Sequence, residues 1–215
     1  MQREGEFMAG DSNDSSDKGT GRSKGTGRDK DGERGVHTRL AHMGNDPRAF
    51  HGFIHPPVVH ASTVLFPDAA TMAARSQKYY YGTHGTPTTD ALTSALDALE
   101  GSAGTVLVPS GLAAVTLPLL AFLSAGDHVL ITDSVYNPSR RFADTVLARM
   151  GVEVAYYDPL VGAGIAALMK PNTRVVFTES PASNTFEVQD VTAIARAAHE
   201  RGAVVMMDNT WATPL

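Results

Sequence analysis

The chain has 215 residues, of which 42% are hydrophobic, carries a formal net charge of -5 and contains no cysteine. That is enough apolar material for one sizeable core, while the charge balance excludes a basic groove for nucleic acid and the lack of thiols excludes disulfides and thiolate metal sites. A reducing compartment suits such a composition, and the cytoplasm is the expected location.

Residues 1–35 are rich in Gly, Ser, Asp, Lys and Arg, and Lys18-Gly19-Thr20-Gly21-Arg22-Ser23 is nearly repeated by Lys24-Gly25-Thr26-Gly27-Arg28-Asp29. So little apolar surface cannot support folding, and the segment reads as a low-complexity, flexible tail. No apolar core follows its first charges, so no secretory signal is expected, and its acidic residues argue against a mitochondrial transit peptide. Residues 36–85 are punctuated by Pro56-Pro57 and Pro67 and are expected to form an extended arm lying over another surface, such as a partner subunit. His51, His55 and His60 fall in this arm; Pro56-Pro57 spreads them out and no acid completes a site, so no metal is expected.

Residues 86–215 show an alternating rhythm. Val106–Val108, Val129–Ile131, Val152–Tyr156, Val175–Thr178 and Val204–Met207 read as short buried strands. Thr88–Glu100, Leu112–Ser124, Pro138–Met150, Gly162–Leu168 and Asp190–Arg201 carry helical spacing. Thr86-Pro87 suits a helix start, and Gly101, Gly151 and Gly202 suit helix ends. The uncharged run from Gly101 to Gly126 is long enough to be weighed as a membrane span, but Pro109-Ser110-Gly111 splits it into a strand-like and a helix-like piece. The pattern predicts an α/β fold with a mostly parallel sheet, whose ligands gather at the carboxyl ends of the strands.

Three such ends carry suggestive side chains. At Val108-Pro109-Ser110-Gly111-Leu112 a strand enters a helix through a tight turn, so that the N–H groups of Gly111 and Leu112 and the helix dipole could receive a phosphate; a plain structural turn has the same sequence. The turn lacks both common nucleotide-binding glycine patterns. Tyr136 follows the strand ending at Ile131 and could lie over a flat heteroaromatic ligand or simply pack at the rim of the sheet. Asp208 ends an apolar strand; it could pair with a protonated ring nitrogen, as pyridoxal phosphate (PLP) requires of an electron sink, or cap the following turn.

The blocks His37-Thr38-Arg39-Leu40, Pro56-Pro57-Val58-Val59-His60-Ala61-Ser62-Thr63, Tyr81-Gly82-Thr83-His84-Gly85-Thr86-Pro87-Thr88, Leu99-Glu100-Gly101, Pro109-Ser110-Gly111-Leu112-Ala113-Ala114, Ser124-Ala125-Gly126-Asp127-His128-Val129-Leu130, Glu179-Ser180-Pro181 and Asp208-Asn209-Thr210-Trp211-Ala212 occur in order from Val36 to the last residue. Together they resemble the Cys/Met-metabolism, or trans-sulfuration, family of PLP enzymes. Trp211 and the Gly85-Thr86-Pro87-Thr88 helix entry are most similar to its cystathionine β-lyase branch.

The resemblance implies the large domain of the aspartate-aminotransferase-like fold (fold type I), truncated, with residues 86–215 as its first part and the C-terminal small domain absent. It implies PLP as cofactor and a small sulfur amino acid as substrate, in a homo-oligomer built from dimers. It implies that Gly111 and Leu112 bind the phosphate, Tyr136 stacks on the pyridine ring, Asp208 pairs with its nitrogen, Thr210 lies close by, and Ser183 and Asn184 lie near the ring oxygen. Tyr81 would reach the phosphate of a neighbouring subunit, and Tyr136 and Tyr81 are the candidate catalytic side chains. The implied reaction is β-elimination of cystathionine to homocysteine, pyruvate and ammonia. A γ-lyase, a γ-synthase or a non-catalytic fragment acting through subunit association are the alternatives.

Two features depart from the family pattern. Thr83 and His84 follow Tyr81-Gly82 where the family carries an Arg for the phosphate, and neither replaces a bidentate guanidinium. The Schiff-base lysine belongs downstream of Asp208, whereas Lys18, Lys24, Lys30, Lys78 and Lys170 all precede it. The chain alone is expected to be inactive.

Overall fold

The computed structural model describes residues 35–213; apart from Gly35, the low-complexity segment lies outside the described residues. The chain divides into two units, Met1–His42 and Met43–Leu215. In the first, the described residues form one short helix, α1 (Val36–His42).

The second unit opens with irregular backbone, interrupted by helix α2 (Ala69–Ala74) and a 3-10 turn at Gly82–His84. Asp68 starts α2 by accepting the Thr71 N–H at 2.6 Å, the expected task of a carboxylate before a helix. Gly82 is required where it stands. Its N–H reaches the Ser62 carbonyl at 2.7 Å, and a Cβ there would lie 1.7 Å from the Ala61 oxygen. The hydroxyl of Thr88 donates to the Pro57 carbonyl at 2.6 Å and accepts the Val59 N–H at 2.9 Å, tying this segment to the next helix.

That helix, α3 (Pro87–Glu100), begins with a reciprocal capping box between Thr86 and Thr89 and ends at Gly101 in the left-handed conformation, as its punctuation predicts. Helix α4 (Gly111–Phe122) is capped by Ser110, whose Oγ accepts the Ala113 N–H at 3.2 Å. Then follow β1 (His128–Thr132), α5 (Asn137–Phe142), β2 (Glu153–Tyr157), a 3-10 helix at Gly162–Leu168, β3 (Thr173–Glu179), α6 (Val191–His199) and β4 (Val204–Asp208).

The structure corrects the expected first strand. Val106–Val108 has no regular secondary structure and joins no ladder among the described residues, and Val106 is 86% exposed. Its composition gives β-prone backbone, but a strand also needs a neighbour to take its N–H and C=O groups, and no strand pairs with it among the described residues. The helix expected over Pro138–Met150 is also less regular, because α5 passes into a π-helical turn at Ala143–Leu147.

All four strands are parallel, in the order β2-β1-β3-β4. The central strands β1 and β3 are buried on both faces, which explains their apolar runs, whereas β2 and β4 are only partly covered. Val129, Ile131, Val175 and Phe177 point to the side of α4 and α5, with Val115, Leu119, Ala143 and Leu147. Leu130, Val176 and Tyr157 point to the other side, against Ile165, Ile194 and Ala198. Among the described residues no helix is long and apolar enough to cross a membrane.

Candidate active site

After β1 the chain leaves towards β2, whereas after β3 it leaves towards β4, so the connections diverge at the carboxyl ends of β1 and β3. Such a switch point opens a crevice. Here it is a cavity of about 960 Å³, the size of a small-molecule site.

Gly111 and Leu112 line it from the start of α4, Tyr136 from the turn after β1, Glu179 and Ser183 from the end of β3, and Asp208 and Thr210 from the end of β4. Strand alternation brings the acids together. Glu179 and Asp208 are register partners on adjacent parallel strands, so their side chains share one face about 4.8 Å apart along the hydrogen-bonding direction.

The N–H groups of Gly111 and Leu112 belong to the first turn of α4 and have no partner within the helix, and a Cβ on Gly111 would meet nothing within 4 Å. Free donors, open space and the positive end of a twelve-residue helix suit a phosphate. Asp208 caps the turn that follows it through one oxygen. Oδ1 accepts the Thr210 N–H at 3.0 Å and the Thr210 hydroxyl at 2.6 Å, closing an Asx turn, while Oδ2 accepts no hydrogen bond from the described residues. Tyr136, 47% exposed, is among the residues of the cavity wall. No lysine, arginine or histidine is among the lining residues.

Glu179 was not singled out from the sequence as a site residue. It is 4% exposed; its Oε2 accepts the Tyr136 N–H at 2.8 Å and its Oε1 accepts the Ser183 hydroxyl. The signal was present, since an apolar run ending in an acid describes Val175–Glu179 as well as Val204–Asp208. Phe186 also lines the cavity, edge-on to Trp211 with ring centroids 6.0 Å apart.

Some candidates lie elsewhere. Tyr81 does not line the cavity; it bridges to Thr63, and its ring stands edge-on to His84 at 5.5 Å. Asn184 is exposed and outside the lining. His84, which follows the position of the missing Arg, is engaged by Tyr80 and Tyr81. Lys78 and Lys170 are paired with Asp90 and Glu153. The described residues hold no cluster of metal-ligating side chains.

The profile of the Cys/Met metabolism PLP-dependent enzymes matches residues 37–215. The chain belongs to that family. It is 68% identical over 181 residues to a protein of Rhizobium johnstonii provisionally named a cystathionine beta-lyase, covering 84% of this chain and 46% of that protein. It is 40% identical to the cystathionine beta-lyase of Escherichia coli, over 84% of this chain and 47% of that enzyme. The cystathionine gamma-lyase of Lactobacillus plantarum, solved with L-serine, superposes with a TM-score of 0.76 at 28% identity, over 84% of this chain and 46% of that one. The chain therefore spans about half the length of the relatives it matches, and its sheet is part of a fold type I domain. The family is PLP-dependent, and the cavity fits that cofactor: free helix N–H groups for a phosphate, a ring on the wall, and an uncommitted carboxylate oxygen at the tip of a strand.

Proposed function

We propose that the chain forms the cofactor-holding part of a PLP-dependent carbon–sulfur lyase that splits cystathionine by β-elimination into homocysteine, pyruvate and ammonia. One observation carries the reading: a helix N-terminus, an aromatic ring and an acid, delivered by separate elements, converge on a single cavity. The names of the relatives supply the substrate and the β-position.

Gly111 and Leu112 donate their N–H groups to the cofactor phosphate, and Tyr136 covers the face of the pyridine ring. Bound PLP supplies an electron sink for the charge left when the substrate α-proton departs. Asp208 sustains it by keeping a proton on the ring nitrogen through the charge of its carboxylate, and Thr210 fixes that carboxylate through Oδ1. Ser183, tied to Glu179, lies towards the ring oxygen. The amine that takes the α-proton comes from outside the cavity-lining residues, so the isolated chain does not turn over. Tyr81, exposed and outside the lining of this cavity, serves the phosphate of a neighbouring subunit in a cytoplasmic homo-oligomer.

A chimera in which this chain replaces the matching half of the Rhizobium johnstonii relative tests the reaction. Cystathionine should give pyruvate and homocysteine; 2-oxobutyrate and cysteine would make the enzyme a γ-lyase instead. Asp208→Asn in the chimera should lower turnover at least about 10-fold, because the neutral amide cannot hold the ring nitrogen protonated.

A further inference from the structure

Glu179 is the only buried carboxylate among the described residues, and no cation pairs with it there. Buried carboxylates are costly unless charges or hydrogen bonds compensate them, yet this one has only neutral donors. Both belong to the cavity wall: the Tyr136 N–H on Oε2 at 2.8 Å and the Ser183 hydroxyl on Oε1. The backbone of Glu179 is held in turn. Its carbonyl accepts the Gln189 Nε2 at 2.8 Å, and the buried Gln189 accepts the Tyr157 hydroxyl at 3.1 Å. A rigid strand end thus grips, through one side chain, the turn that carries the stacking ring and the loop that closes the opposite wall.

We propose that Glu179 is a positioning residue that fixes the Tyr136 ring and the Ser183 loop for a flat heteroaromatic cofactor. This rests on the PLP reading of the cavity. The clamp acts by shape rather than charge: a glutamine of the same outline accepts the Tyr136 N–H through its oxygen and donates its amide to the Ser183 hydroxyl, whereas alanine leaves both unpaired.

The test uses the full chain and its Glu179→Gln, Glu179→Ala, Tyr136→Ala and Glu179→Ala/Tyr136→Ala variants, with far-UV circular dichroism to confirm folding. Hydrogen exchange of the Tyr136 amide, read without cofactor, should quicken at least about 5-fold in Glu179→Ala and stay near wild type in Glu179→Gln, the loss expected for one hydrogen bond. Added PLP should bind about 3- to 10-fold more weakly to Glu179→Ala than to wild type, the range of one ring contact. The double variant should bind no worse than Tyr136→Ala, because the two residues act as one unit. Unchanged exchange in Glu179→Ala, additive losses, or a Glu179→Gln variant as impaired as Glu179→Ala would overturn the clamp. If exchange responds as expected but wild type binds no PLP, the cofactor reading fails instead, and with it the purpose assigned to the clamp.

Discussion

His128 shows how much one buried ring can decide. It opens β1 at 0% exposure, its Nδ1 lies 2.7 Å from the Thr173 hydroxyl, and its Nε2 has no hydrogen-bond partner among the described residues. The same hydroxyl accepts the Lys170 N–H at 2.7 Å. Burial first, and the charge of Lys170 second, hold His128 below its ordinary value of 6.5, with Glu153 opposing them. The unfolded chain therefore binds a proton more readily than the folded one. The stabilising contribution is complete above about pH 6.5 and is lost as pH falls towards the lowered folded value. Urea midpoints should fall between neutral and mildly acid pH, and His128→Phe should flatten that fall; an equal slope in both proteins would assign it to other groups. Nothing in Asp127-His128-Val129 marks this histidine as buried, since it depends on Thr173, which is 45 residues away. Asp208 is different. Its place at the end of Val204–Met207 was readable because an acid closing an apolar strand is a local pattern, but which of its oxygens is taken by the turn to Thr210 emerges only with the fold.

At the scale of elements, legibility followed the range of the forces involved. Helices α3 and α4 were readable from Thr86-Pro87, Gly101 and Ser110-Gly111, because caps act within one turn. Strands β1 to β4 were readable because each is a short run dominated by apolar and β-branched residues, buried throughout in β1 and nearly so in β3. Val106–Val108 carries the same local signature and forms no strand, since pairing depends on a neighbour that residue type cannot specify. The π-helical turn at Ala143–Leu147 was likewise invisible, as helical spacing does not distinguish it from α. The cap of α4 gives an element-scale prediction. Ser110→Ala removes the acceptor of the Ala113 N–H and should cost about 1 kcal/mol in chemical denaturation. Ser110→Asp should keep the cap and its stability, and loss of stability in both variants would show that Ser110 matters for another reason.

For the whole molecule, the decisive feature is what the sheet leaves uncovered. β4 pairs only with β3 among the described residues, so one row of its backbone groups lacks a strand partner. Separately, Val106, Leu107, Leu112, Leu117, Leu120 and Phe122 are all exposed, giving α4 and the segment before it far more apolar surface than scattered surface residues account for. Unpaired edges and contiguous apolar faces both drive association. The chain should therefore self-associate, with a sedimentation coefficient that rises with concentration, and Val106→Lys together with Leu117→Lys should shift it towards the monomer without altering the far-UV spectrum. These positions separate surface from site: neither Val106 nor Leu117 lines the cavity, so PLP binding by the double variant should match wild type. A wild-type chain that stays monomeric at high concentration would mean that its apolar face is satisfied within the unit. Cofactor binding lost along with association would instead place the cavity at an interface between copies.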